Sequence, residues 1–164
     1  MKLIDISTPN HPGTFAMVDD ADFDHLNQRK WCLSRPNGYA VRMEGGRKTK
    51  ITIYMHRAIL KPSPGMQVDH INGNRLDNRR ENLRTCTSAE NNMNRRPTPG
   101  RALPKGVDWC AKDGRFRASI GVNKQTIHLG AFPTAAQAES ARIEAAKKYH
   151  GEFARYNAIT EDAK

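Results

Sequence analysis

A proline- and glycine-rich break, Pro97-Thr98-Pro99-Gly100, cuts this 164-residue chain into two pieces of different character. Neither piece is long enough to bury a large core, so each must fold as a small domain with a thin apolar interior. Before the break, short β-rich runs alternate with turn signals. Phe15-Ala16-Met17-Val18, Tyr39-Ala40-Val41-Arg42-Met43 and Ile51-Thr52-Ile53-Tyr54-Met55 read as strands, and Asp22 to Lys30 as a short helix with Phe23 and Leu26 on one side. Residues 1–55 therefore predict a small antiparallel β segment with one helix.

His56-Arg57-Ala58-Ile59-Leu60 follows, and the prolines of Lys61-Pro62-Ser63-Pro64-Gly65 end any helix there. Met66 to His70 reads as a strand and Asn72-Gly73-Asn74 as a turn. A long loop runs through Asp77-Asn78-Arg79-Arg80, and a second strand lies near Leu83-Arg84-Thr85. Thr87-Ser88-Ala89-Glu90 has capping-box spacing, which starts a helix at Ser88 and carries it to about Arg95. Residues 66–96 thus read as strand, loop, strand, helix.

Beyond the break the period changes. Phe116, Ala118, Ile120 and Val122 alternate with Arg115, Arg117, Ser119 and Gly121, a half-buried strand with a basic outer face. Asn123-Lys124 is a turn, and Gln125 to Leu129 returns as a strand with Ile127 and Leu129 inward. Thr134-Ala135-Ala136-Gln137 caps an Ala-rich helix running to about Tyr149, with Ala138, Ala141, Ala145 and Tyr149 on one stripe.

The net charge is +10. Residues 56–103 are the most basic, with nine Lys/Arg against four Asp/Glu, and eight of the nine are Arg. Arg grips phosphate in a planar, bidentate way, so the chain reads as a polyanion binder. Cys32, Cys86 and Cys110 are odd in number and form no Cys-x-x-Cys pair. This argues against structural zinc and against a disulfide framework. No apolar run approaches the ~20 residues needed to span a bilayer. The start, Met1-Lys2-Leu3-Ile4-Asp5, has no signal-peptide apolar region, so the expected location is the cytoplasm.

The chemistry concentrates in Val68-Asp69-His70-Ile71-Asn72-Gly73, Asn82-Leu83-Arg84 and Asn91. Phosphodiester hydrolysis needs a base that is largely neutral at pH 7, which suits His70. It also needs a hard cation held by few protein oxygens, which Asp69 and Asn91 can offer. Asp69 and His70 are neighbours on a strand and point to opposite sides, so one can hold metal while the other faces water. Asn82, from the opposite strand, can hydrogen-bond near His70 and fix its ring. His56 reads first as a packed histidine at a helix start, with a contact to DNA or to the site as the alternative. Arg75, Arg79, Arg80, Arg84, Arg95 and Arg96 flank the site; they read as solvated charge or, for some of them, as phosphate contacts.

Residues 54–96 resemble the HNH endonuclease family, in the subgroup common among phage and intron-encoded homing endonucleases. The resemblance rests on Tyr54-Met55-His56-Arg57, Asp69-His70-Ile71-Asn72-Gly73-Asn74, Leu76-Asp77-Asn78-Arg79, Glu81-Asn82-Leu83-Arg84 and Asn91 to Asn94. It implies a ββα-metal finger in which Asp69 and Asn91 bind one Mg²⁺ or Mn²⁺, His70 is the general base and Asn82 supports it. It also implies cleavage of double-stranded DNA to 5′-phosphate and 3′-hydroxyl ends, in a phage-encoded or bacterial setting. A family position often filled by His is Asn91 here, as in the homing subgroup. The alternative is a DNA-binding regulator whose nuclease fold has decayed, and the presence of each expected site residue argues against it.

Residues 104–157 resemble the Apetala-2 or ethylene-response-factor type of DNA-binding domain. The matching pieces are Lys105-Gly106-Val107, Gly114 to Ile120, His128 to Phe132, Thr134-Ala135 with the helix, and Gly151 to Asn157. The resemblance implies a three-stranded antiparallel sheet backed by a helix, with the sheet in the major groove. Asp108, Ser119, Gly121 and His128 depart from that family's contact residues, so its target sequence does not carry over. The expected reading face is Arg115, Arg117, Ser119, Lys124, Gln125, Thr126 and His128. Lys105 and Trp109 lie beside it, with Trp109 equally suited to the core. The predicted fold class is α+β: segment 1–55, core 56–96, linker 97–103, DNA-binding domain 104–157 and tail 158–164. The residues set no oligomeric state.

Overall fold

The computed structural model describes residues 1–35, 37–46, 49–95, 100 and 102–154. The site candidate Arg96, most of the expected linker and the expected tail lie outside these residues. The fold is α+β, with four small antiparallel sheets and four α-helices among the described residues. The chain divides into two compact units, Met1–Asn91 and Asn92–Lys164.

The first unit opens with a two-stranded ribbon, β1 (Lys2–Asp5) and β2 (Phe15–Val18), in which Ile4 lies opposite Ala16. Helix α1 (Asp20–Asn27) follows, starting two residues earlier than the apolar pattern predicts because Asp20 and Asp22 favour its first turn. Strand β3 (Cys32–Leu33) pairs with β4 (Ala40–Glu44), and β4 pairs with β5 (Ile51–Tyr54), setting Val41 opposite Tyr54. Helix α2 (Met55–Leu60) then buries Met55, His56 and Ile59. It ends at Lys61, which has φ 46° and donates its backbone N–H to Arg57 O. The short runs β1 and β3 give no sequence signal of their own; β3 is held by β4, and Leu33 N donates to Ile6 O.

Strands β6 (Gln67–His70) and β7 (Leu83–Cys86) form a hairpin with a twelve-residue connection, and α3 (Ser88–Met93) follows. The capping box forms as spaced. Thr87 N and Oγ1 donate to Glu90 Oε2 at 2.7 and 2.8 Å, and Glu90 N donates to Thr87 Oγ1.

One apolar cluster runs through the unit: Ile4, Ile6, Ala16, Val18, Leu26, Trp31 and Ala40 with Met55, Ile59, Val68 and Leu83. Residues on both sides of position 55 therefore share a core, and the β-rich segment is the wall against which the β6–β7 hairpin packs. Arg80 reinforces this wall, donating to both carboxylate oxygens of the buried Asp22 at 2.7 Å.

In the second unit β8 (Val107–Cys110), β9 (Arg115–Val122) and β10 (Gln125–Phe132) form a sheet with β9 central. Strand β10 runs three residues beyond the expected end because the register shifts between His128 and Gly130, which re-aims Leu129 and lets Phe132 meet Phe116. Gly106 enters the sheet at φ +76°, and a Cβ there would lie 2.5 Å from Ser119 O. Helix α4 (Ala135–His150) is capped by Thr134, whose Oγ1 accepts from Gln137 N. The helix is turned from the expected stripe: Ala138, Arg142, Ala145, Ala146 and His150 are buried, and Tyr149 is 38% exposed. Ala145 and Ala146 are small enough to let Ile120 close onto the helix.

Leu26, fully buried, tests the shared core. Leu26→Ala should lower the urea-unfolding free energy by about 2–5 kcal/mol. Amide exchange in β6 should accelerate in step, and unchanged exchange there would mean that the two parts fold independently.

Candidate active site

Strand alternation sorts the hairpin's side chains. Directly opposed residues share a face. Val68 with Thr85 and His70 with Leu83 lie on one face, and Gln67 with Cys86 and Asp69 with Arg84 lie on the other. Asp69 and His70 thus point to opposite sides, as the spacing predicts. The expectation that His70 faces water is corrected: its face turns to the core through Val68 and Leu83, and only 4% of the residue is exposed.

The ring of His70 sits in an aromatic nest. The His56 ring meets it edge-on at 5.1 Å between centroids, and Tyr39 lies 5.8 Å away. Tyr39 and Tyr54 also flank His56, at 5.0 and 5.5 Å. His70 Nε2 lies 3.4 Å from Oδ1 of Asn78, which is fully buried. Burial pushes the His70 imidazole below its usual range. The Asn78 contact and the Asp69 and Asp77 charges oppose that shift, and Arg75 adds to it.

Asn82 does something other than touch that ring. Its Oδ1 accepts from Asn72 N at 2.9 Å and its Nδ2 donates to Asp77 O at 2.8 Å, so both ends brace the connecting loop. Gly73, at φ +70°, turns the loop, and its N–H donates to His70 O. Asn72 Nδ2 donates to Asp77 Oδ2, and Arg79 clamps Asp77 through Nε and Nη2, holding that carboxyl below the usual carboxylate range.

The opposite face carries the hard-oxygen donors. Arg84 Nε and Nη2 donate to Asp69 Oδ2 at 3.0 and 2.8 Å. Helix α3 is pinned over this face by Gln67, whose Nε2 donates to Ser88 Oγ and whose Oε1 accepts from Asn91 Nδ2. Gln67 and Asp69 are two residues apart on one strand face, so Asn91 stands on the Asp69 side of the hairpin. With its Nδ2 turned to Gln67, the Asn91 amide leaves Oδ1 as its acceptor atom. No three His, Cys, Asp or Glu side chains converge as a metal set among the described residues. One carboxylate and one carboxamide oxygen, completed by solvent, suit a hard divalent cation, and such an ion would displace the Arg84 contact on Asp69. Burial pushes the neighbouring Cys86 thiol up to about 11, which leaves it protonated.

The expected phosphate-gripping residues divide by partner. Arg79, Arg80 and Arg84 are engaged by Asp77, Asp22 and Asp69, so their first role is internal cross-linking. Arg75 is exposed, donates to the backbone oxygen of Asn37 at 2.6 Å and lies over the Tyr39 ring at 5.0 Å. Arg95 is exposed.

In the second unit Lys105, expected beside the DNA-reading face, meets the end of a helix. Its Nζ donates to the carbonyls of Asn92, Met93 and Arg95 at 2.9–3.0 Å. Trp109 lies opposite Phe116, with ring centroids 4.7 Å apart, on the helix side of the sheet rather than its outer face, though half exposed. Gln125 lies opposite Val122 and shares that side, at an exposed strand end. Arg115, Arg117, Ser119, Thr126 and His128 share the outer face, where Arg117 is paired with Asp113. Lys124 is exposed in the turn at φ +64°.

Sequence reasoning missed Asn78, Gln67 and Tyr39 around the site. Asn78 alone carried a usable signal, as an uncharged amide next to a carboxylate inside an arginine-rich loop.

His56 makes this nest pH-sensitive. Burial first, then the charges of His70 and Arg57, push its imidazole down to about 3. The folded protein keeps the ring neutral where the unfolded chain takes a proton near pH 6.5. Stability is therefore fully present above that pH and falls as pH drops toward about 3, by up to ~1.4 kcal/mol per pH unit from this group. Urea unfolding between pH 7 and 4.5 should show the decline, and His56→Gln should flatten it. An unchanged slope in the variant would contradict the assignment.

A family model described as HNH endonuclease matches residues 61–93, the stretch that contains β6, β7 and α3. An uncharacterised HNH endonuclease of Acanthamoeba polyphaga mimivirus is 31% identical over 149 residues, covering 90% of this chain and 76% of the relative. No solved structure matches. With the Asp-His strand, the bracing asparagine and the capped helix in place, this chain belongs to the HNH endonuclease family.

Proposed function

We propose that the chain is a metal-dependent DNA endonuclease of the homing type, using a ββα-metal finger built from β6, β7 and α3 and targeted by its C-terminal unit. The observation that carries this reading is the β6 alternation. It sets an imidazole on one side of a strand and a carboxylate on the other, the latter facing the helix that bears Asn91. Asp69 and Asn91 would hold Mg²⁺ or Mn²⁺. When bound, the cation supplies positive charge against the phosphate oxygens and the departing 3′ oxygen. His70 takes a proton from the water that attacks phosphorus, and burial keeps its imidazole neutral and ready to accept that proton. Asn82 keeps the connecting loop in register beneath the base. Arg84, released from Asp69, and Arg75, close to the His70 nest, are the cations best placed to meet the substrate phosphates.

The C-terminal unit supplies the second contact. Support comes from the outer face of its sheet, where Arg115, Arg117, Ser119, Thr126 and His128 stand away from the Phe116, Ile120 and Ile127 side, with Lys124 at the hairpin tip. A sheet of this width can lie in a major groove, as the Apetala-2-like resemblance implies. No helix among the described residues is long and apolar enough to cross a membrane.

A second reading, a DNA-binding protein without cleavage, draws on the enclosure of His70 and the Arg84 clamp on Asp69. Plasmid nicking separates the two. The wild-type protein should nick supercoiled DNA with Mg²⁺ and not with EDTA. His70→Ala should bind the same DNA and cleave at least about 100-fold more slowly. A wild-type protein that binds DNA and never cuts it, with Mg²⁺ or Mn²⁺, would leave the second reading standing.

A further inference from the structure

The groups around the proposed base include one whose presence the fold alone does not explain. Asn78 is fully buried, and its Nδ2 has no hydrogen-bond partner among the described residues. An apolar side chain of similar size would avoid that cost, since an unsatisfied buried donor is destabilising. Apart from the Oδ1 contact with His70, no side-chain bond holds the amide among the described residues. The backbone places it: Asn78 N donates to Met17 O at 2.8 Å, and Met17 N donates to Leu76 O at 2.8 Å, closing a parallel bridge between Met17 and Asp77. Both ends of Asn82 brace the same loop from the other side. Two independent anchors thus present one side-chain oxygen to one imidazole nitrogen, with the His56 ring closing the nest.

We infer that Asn78, rather than Asn82, is the positioning residue for His70: its Oδ1 accepts from Nε2–H and so fixes the ring in the tautomer whose Nδ1 takes the proton from water. The inference rests on the nuclease reading for its consequence but not for its geometry. Asn82 acts one step further out, by holding the loop that carries Asn78. A turned amide would instead offer Nδ2 to an unprotonated Nε2 and leave Nδ1 protonated, so the tautomer itself reports which arrangement holds.

The test is made on the full-length protein with ¹⁵N-labelled histidine, without metal, at pH 8. Two-bond correlations from the ring protons separate the protonated and bare nitrogens of a neutral imidazole. Wild-type His70 should show Nε2 protonated and Nδ1 bare, and an Nδ1-protonated ring would overturn the proposal whatever the protein cleaves. Asn78→Ala should show a mixture of tautomers. On plasmid substrate with Mg²⁺ its kcat should fall about tenfold or more, with KM within about twofold. Asn78→Ser, which restores a small acceptor, should recover part of the loss. A folded Asn78→Ala with the wild-type tautomer and wild-type kcat would also overturn it. If that variant does not fold, the wild-type spectrum alone decides. A wild-type protein that never nicks would sink the nuclease reading, while the spectrum still decides the role of Asn78.

Discussion

The site depends on a pair of backbone hydrogen bonds. Met17, in the middle of β2, donates to Leu76 O and accepts from Asn78 N. These bonds zip the long connection of the β6–β7 hairpin onto the N-terminal ribbon. They bury Asp77 and Asn78, two side chains that a solvated loop would leave in water. Asp77 then serves as an acceptor hub for Asn72 and Arg79, and its backbone oxygen takes the Asn82 amide. Without this docking the turn after His70 would have neither its shape nor its partner. The N-terminal third of the chain is in this sense a part of the site.

Charge plays a different role from the one composition suggests. The basic middle of the chain looks like a phosphate-binding surface, yet three of its arginines are each engaged by a buried carboxylate of the same unit, and Arg79 meets Glu81 as well. Asp22, Asp69 and Asp77 are all buried, and each is met by a guanidinium through two nitrogens. Leaving such carboxylates unpaired would be costly, and bidentate arginine is the geometry that satisfies them. The Arg84 pair is the one of these with a double life, because the carboxylate it holds is also the proposed cation ligand.

Local rules were readable wherever the deciding interaction was local. The Thr87–Glu90 and Thr134–Gln137 boxes, the Asp69/His70 alternation and the β9 strand all follow from spacing within a few residues. What depends on distant partners was not readable. Nothing within residues 72–82 says that Asn78 turns inward, because Met17 decides it from sixty residues away. The exposure of His70 was misjudged for the same reason: alternation gives two faces but does not say which one the N-terminal ribbon covers. Lys105 looked like a surface cation until the carbonyls ending α3 were seen to need a donor. Helix α4 is rotated from the expected stripe because an alanine-rich helix admits more than one rotation, and packing against Ile120 selects the one that buries Ala145 and Ala146 and leaves Tyr149 exposed.

The central claim is that the β6–β7 hairpin keeps cation and base on opposite faces, with the cation on the side of Gln67, Asp69 and Asn91. Titration of Mn²⁺ into ¹⁵N-labelled full-length protein reads this directly through paramagnetic broadening. The account predicts broadening centred on Asp69, Arg84 and the first turns of α3, with Asp69→Asn abolishing it. Saturable broadening centred anywhere else, or unaffected by Asp69→Asn, would contradict it.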